Sequence, residues 1–210
     1  MQMTDSIKDD GQLLRQRNPD AVKRLTEALI GVGIAMAYAG NSRPASGSEH
    51  HLSHFFEITG IINNRPYFMH GTDVAFSTVY TCRMREEILA VDIPEQTEKF
   101  DRADWEKKIR SVYGIAADGV IGLQDKAGVY NENKIAVYKE KWHEIKEILQ
   151  DCPSAEEIVS YLGSVGLDIS EFEKMYGKQK LENAKWFAKD LKDRYTVLWL
   201  YYSLFYHTKV

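Results

Sequence analysis

The chain has 210 residues, 28% charged and 44% hydrophobic, with a formal net charge of −4. That length buries a substantial core in one large domain or two small ones. Near-balanced charge, with no block of lysine or arginine, argues against a nucleic-acid footprint. The two cysteines, Cys82 and Cys152, stand far apart in dissimilar contexts and fit reduced thiols of a cytoplasmic protein. The polar opening has no charged-then-apolar leader. The longest uncharged run, 195–207, is shorter than the about 20 residues a membrane-spanning helix needs, so no membrane span is expected.

In chain order, residues 1–17 read as a frayed or partly ordered start. Asn18 followed by Pro19 is a helix-start signal, because proline at the first helical position forfeits an N–H that has no partner anyway. Val22, Leu25, Leu29, Val32 and Met36 follow at helical spacing. Small residues dominate 28–39, which predicts close packing against other helices, and Gly40-Asn41 ends the helix. Residues 42–48 form a loop. Ser48 is then expected to cap a short helix that runs through Phe55 and Phe56. A turn over 60–66 leads to His70-Gly71 and a helix to about Ala90, with Pro94 in the linker beyond.

Further helices are predicted over 101–113 (Trp105, Ile109 and Val112 on one face), 115–127 and 133–150, the last stopped by Cys152-Pro153. Glycines in 114–122 read as a helix boundary and close packing. Ser154 with Glu157 makes a capping box, and Ser170 with Glu173 repeats the pattern. Leu181, Ala184, Ala188, Leu191, Tyr195, Leu198, Tyr202 and Phe205 mark one long apolar seam. The aromatic end (Trp199, Tyr201, Tyr202, Phe205, Tyr206) reads as core first and as a partner surface only if exposed. No segment alternates at the strand period. The fold class is all-α: a single multi-helix domain over 1–210, with neither a dinucleotide fingerprint nor a P-loop.

Between two apolar segments lies the stretch GNSRPASGSEHHLSHFFEITGIINNRPYFMHG at 40–71, holding four of the six histidines: His50, His51, His54 and His70. His50 and His54 share a helix face about 6 Å apart, while His51 is turned roughly 100° away. His70 starts a helix, where the positive dipole end favours the neutral imidazole that a metal requires. Two histidines and a carboxylate leave open positions on zinc, nickel or iron, which suits Lewis-acid work on a carbonyl. Half-buried or capping histidines are the simpler alternative. Arg43 is either a phosphate contact, guanidinium suiting phosphate geometry, or a solvated loop residue.

The strings AGNSRPASGSEHHLSHF (39–55) and MHGTDVAFSTV (69–79) strongly resemble the glycerol-1-phosphate dehydrogenases, closest to the AraM-like branch of the iron-type alcohol dehydrogenase superfamily. DWEKKIRSVYG (104–114) and AKDLKDRYTVL (188–198) are similar to that branch too. The resemblance implies the helical C-terminal domain of the dehydroquinate synthase-like fold, without the N-terminal nucleotide-binding α/β domain. It implies an enzyme that reduces dihydroxyacetone phosphate to glycerol 1-phosphate with NADH or NADPH and a divalent metal, zinc or nickel. Carried over by motif, His50 and His70 are metal ligands and His54 contacts substrate. The third ligand, an aspartate, would come from the nucleotide-binding half and is absent from this chain.

On that reading the chain alone carries no catalytic or cofactor-binding residue and is inactive unless the N-terminal half is supplied separately. The alternative is a non-catalytic folding or dimerisation module that retains a relic metal site. Removing the partner domain would expose apolar surface, so self-association into a homo-oligomer is expected.

Overall fold

The computed structural model describes residues 7, 9–95 and 100–206. Among them there is no β-strand, and the all-α expectation holds. The helices are α1 (Gly11–Arg15), α2 (Pro19–Ala39), α3 (Ser48–Ile62), α4 (His70–Leu89), α5 (Arg102–Tyr113), α6 (Ala117–Ala127), α7 (Ile135–Glu140), α8 (Trp142–Gln150), α9 (Ala155–Val165), α10 (Ile169–Phe187) and α11 (Val197–Phe205). Short 3₁₀ turns occupy Arg43–Ala45, Gly114–Ala116, Val129–Asn131 and Ala188–Leu191. Residues 1–6 and 8 of the expected frayed start lie outside the described residues, as does His207.

Local chemistry sets several boundaries as predicted. Asn18 Oδ1 accepts from the N–H groups of Asp20 and Ala21 at 3.0 and 3.2 Å, Pro19 opens α2, and Gly40 closes it in the left-handed region. Ser154 and Glu157 form the reciprocal capping box of α9. Both cysteines are free thiols.

Other expectations need correcting. Ser48 is the first residue of α3, not its cap; Gly47 precedes it and donates its N–H to Glu49 Oε1 at 2.8 Å. Ser170 lies inside α10, because Asp168 two residues earlier accepts the Ser170 N–H at 2.9 Å, and a carboxylate there also meets the helix dipole. The 133–150 helix is broken at Lys141, and Tyr138 and Trp142 on either side of the break are buried. The seam from 181 to 205 is not one helix: α10 stops at Phe187, a 3₁₀ turn follows, and Tyr195 is 47% exposed. A periodic pattern does not register that Lys189 and Asp190, in the 3₁₀ turn after Phe187, are fully buried. Gly114 does close α5, but a side chain at Gly119 or Gly122 would meet open space, so no close packing occurs there.

The largest departure is α2. Its main neighbours are α1 and the 43–45 turn, and Leu29 and Tyr38 are 63% and 91% exposed. Only Ala21 and Ala28 are buried along its length. Close packing of α2 is therefore not found among the described residues.

The core centres on α3, which packs against α4, α5, α10 and the 188–191 turn. Phe56 stacks on Tyr176 with centroids 4.1 Å apart, and Phe172 meets both rings edge-on. Phe55 meets Tyr113 edge-on at 5.7 Å, tying α3 to α5. Offset and edge-on geometries satisfy the ring quadrupoles, and burial of such rings dominates core energetics. α10 can bend into this cluster because Gly177 adopts a positive φ of 69°, a conformation that a side chain would strain. At the C-terminus, Trp199 and Tyr201 are buried, so the aromatic end is core.

Candidate metal and substrate site

Two features bring His70 to α3. At Gly60 a Cβ would lie 2.6 Å from the Tyr67 ring and 3.2 Å from Arg65 O, so only a bare backbone lets the 65–69 strand of chain lie against the helix. Tyr176 then fixes the start of α4. Its hydroxyl accepts the Phe68 N–H at 3.1 Å and donates to Asp73 Oδ1 at 2.6 Å. Asp73 is buried, and that burial pushes its carboxyl up to about 7 despite the Tyr176 hydrogen bond.

Three imidazoles meet where α4 begins. Ring centroids of His50 and His70 are 5.3 Å apart, His54 and His70 5.1 Å, and His50 and His54 6.4 Å. Carboxylates engage one nitrogen of each ring. His50 Nδ1 lies 2.8 Å from Glu49 Oε1, His54 Nδ1 3.0 Å from Glu57 Oε2, and His70 Nδ1 2.7 Å from Glu57 Oε1. Ser53 Oγ is also 3.2 Å from His70 Nδ1. In a neutral ring, a carboxylate opposite Nδ1 selects the Nδ1–H tautomer, which leaves Nε2 with a lone pair. Metal-binding histidines show this arrangement, the far N–H being held by a carboxylate. Burial lowers the His54 pKa, which further favours its neutral form.

The donor set suits a divalent cation. One ligand atom from each of His54, Glu57 and His70 lies within 4.8 Å of the others. A tetrahedral zinc about 2 Å from each ligand needs donors about 3.4 Å apart, within reach of small side-chain rotations. His50 lines the same cluster, while His51 turns inward as its spacing predicts. It is fully buried, its nitrogens have no hydrogen-bond partner among the described residues, and burial lowers its pKa to about 3.

Arg43 is exposed, in the Arg43–Ala45 turn before α3. Glu57 went unread in the sequence, although residues 50, 54 and 57 fall on one helix face. Lys192 also went unread; it bears electrostatically on His51 and His54 from the far end of the chain.

Fold and site together define an all-helical domain that gathers three imidazoles and a bridging carboxylate at one helix junction. Glycerol-1-phosphate dehydrogenases [NAD(P)+] are its relatives in sequence. The protein of that name from Bacillus licheniformis is 34% identical over 112 residues, covering 53% of this chain and 25% of its own length. That from Geobacillus stearothermophilus is 26% identical over 189 residues, 88% of this chain and 39% of its own. The Korarchaeum cryptofilum protein is 33% identical over 99 residues, 43% of this chain and 32% of its own. The chain is similar to these proteins over part of its length, and it spans well under half the length of each. No protein-family model and no solved structure matches it.

Proposed function

We propose that this chain is the metal- and substrate-binding helical half of an NAD(P)H-dependent, cytoplasmic glycerol-1-phosphate dehydrogenase-like enzyme, which reduces dihydroxyacetone phosphate. The observation that carries the reading is the meeting of His50, His54, His70 and Glu57 at the α3–α4 junction, in a relative of those dehydrogenases. His50 and His70 would hold zinc or nickel through Nε2, with Glu57 and Glu49 fixing their rings. His54 would face the substrate. When bound, the ion polarises the substrate ketone and stabilises the developing alkoxide.

Nicotinamide and the remaining aspartate ligand would come from a nucleotide-binding half. The 210-residue chain by itself should therefore not oxidise NADH with dihydroxyacetone phosphate, and adding such a half should restore turnover. Replacing both His50 and His70 with alanine should abolish stoichiometric metal uptake; unchanged uptake would exclude them as ligands. A second reading, a non-catalytic folding or dimerisation module, draws on the exposed apolar face of α2. Restored turnover on mixing would decide against it.

A further inference from the structure

α3 serves two places in the molecule. His50, His54 and Glu57 mark one face, and Leu52 and Phe56 lie roughly 200° round the helix from them. That second face floors a cleft of about 470 Å³ between α4 and α10. Met84 from α4 and Leu181 and Ala184 from α10 complete an apolar floor. The volume falls within the range of about 300–1,000 Å³ usual for small-ligand pockets.

Three carboxylates also line the cleft, and each already has a donor. Glu173 accepts from the Tyr80 hydroxyl at 3.1 Å and from Arg83 Nη1 at 3.0 Å. Glu87 accepts from the Tyr201 hydroxyl and lies 3.8 Å from Lys185 Nζ. Glu182 accepts from Trp186 Nε1 at 2.7 Å. Those pairs engage Arg83 and Lys185. Lys178, the third cation of the lining, is exposed and has no hydrogen bond, ion pair or ring contact among the described residues. It follows the Gly177 kink, where α10 resumes, so the positive end of that helix segment adds to its charge.

We propose that this cleft binds a small amphipathic monocarboxylate, its alkyl chain on the floor of Leu52, Phe56, Met84, Leu181 and Ala184 and its carboxylate at Lys178. A compact polyanion does not suit a wall that carries three carboxylates and one unengaged ammonium. A neutral apolar molecule would leave that ammonium unmatched. Methionine adapts its shape to a flexible chain, and each methylene removed from water strengthens binding about fourfold. The site lies across α3 from the imidazoles and is independent of the dehydrogenase reading.

The test is titration of the 210-residue chain, in the presence of a metal chelator, with octanoate, 1-octanol and acetate. Calorimetry gives the stoichiometry, and NMR of methyl-labelled methionine gives the place. One octanoate should bind per chain, acetate should not bind measurably, and 1-octanol should bind more weakly than octanoate. The Met84 methyl signal should shift on octanoate binding while that of Met36, on α2, stays put. Lys178→Gln should weaken octanoate binding by about twofold to fivefold, the worth of an exposed ion pair, and leave 1-octanol unchanged. Leu181→Trp, which fills the cleft with an apolar ring, should abolish binding of both. Absence of saturable octanoate binding, shifts confined to Met36, or wild-type octanoate affinity in Lys178→Gln overturns the inference. If Leu181→Trp fails to fold by circular dichroism, the Met84 shift and Lys178→Gln decide.

Discussion

Glu57 Oε1 lies 2.7 Å from Nδ1 of His70, although thirteen residues and a change of helix separate them. The other oxygen of the same carboxylate reaches His54 Nδ1 at 3.0 Å. One side chain thus fixes the tautomer of two imidazoles and clamps the start of α4 to the middle of α3.

Glu57→Gln keeps the shape but cannot accept from both rings with full negative charge. We expect zinc affinity to fall about tenfold to a hundredfold, whether Glu57 ligates or orients, with little change in helicity. Competition against a calibrated chelator measures it, and an unchanged dissociation constant would contradict the role.

Gly60 controls how closely the chain before α4 approaches α3. Gly60→Ala should cost about 1–3 kcal/mol, as overpacking does, and should weaken metal binding as well by displacing His70. Gly71→Ala, where a Cβ meets open space, is the control and should do neither. Urea titrations with parallel zinc titrations separate the two variants.

Asp73 supplies a pH dependence of defined sign. Its folded pKa is raised to about 7 from 3.8, first by burial and then by the nearby charge of Glu57, while Tyr176, Lys180 and His70 oppose the rise. The folded state therefore binds more protons than the unfolded state between those values. The stability it contributes is whole below about pH 3.8 and is lost as pH rises through about 7. Asp73→Asn keeps an acceptor for the Tyr176 hydroxyl and removes the titration. The variant should match wild type near pH 4 and exceed it near pH 8 by a few kcal/mol. Equal stability at both pH values would refute the assignment.

α2 presents Leu29, Ile30, Ile34 and Tyr38 to solvent, each more than half exposed. Contiguous apolar surface of this kind drives association. Light scattering of the dilute chain should show species larger than a monomer, and Leu29→Glu with Ile34→Glu should shift it to monomer. A wild-type chain that stays monomeric at every concentration would contradict this.

Much of this was legible in the sequence where the signal is local. Asn18-Pro19, Gly40 and the Ser154–Glu157 box set helix ends through neighbouring atoms, and the His50–His54 spacing put both rings on one face. What failed was what depends on distant partners. Nothing near Lys189 in sequence announces that Tyr130, Trp199 and Tyr202 surround it, so the break after Phe187 was invisible. Glu57 could have been found from the helix face it shares with His50 and His54. Lys192 and Arg194 could not, because 146 residues separate Lys192 from Ser46 and 152 separate Arg194 from Ser42. The apolar pattern of α2 predicted close packing that the described residues do not show, because no described segment covers that face.

The most direct test of the account is equilibrium dialysis of the purified chain against zinc or nickel, comparing wild type with the His50→Ala, His70→Ala double variant. The account predicts about one ion per wild-type chain and none above background in the variant. Equal uptake by the two proteins would mean that the imidazoles at the α3–α4 junction are not a metal site.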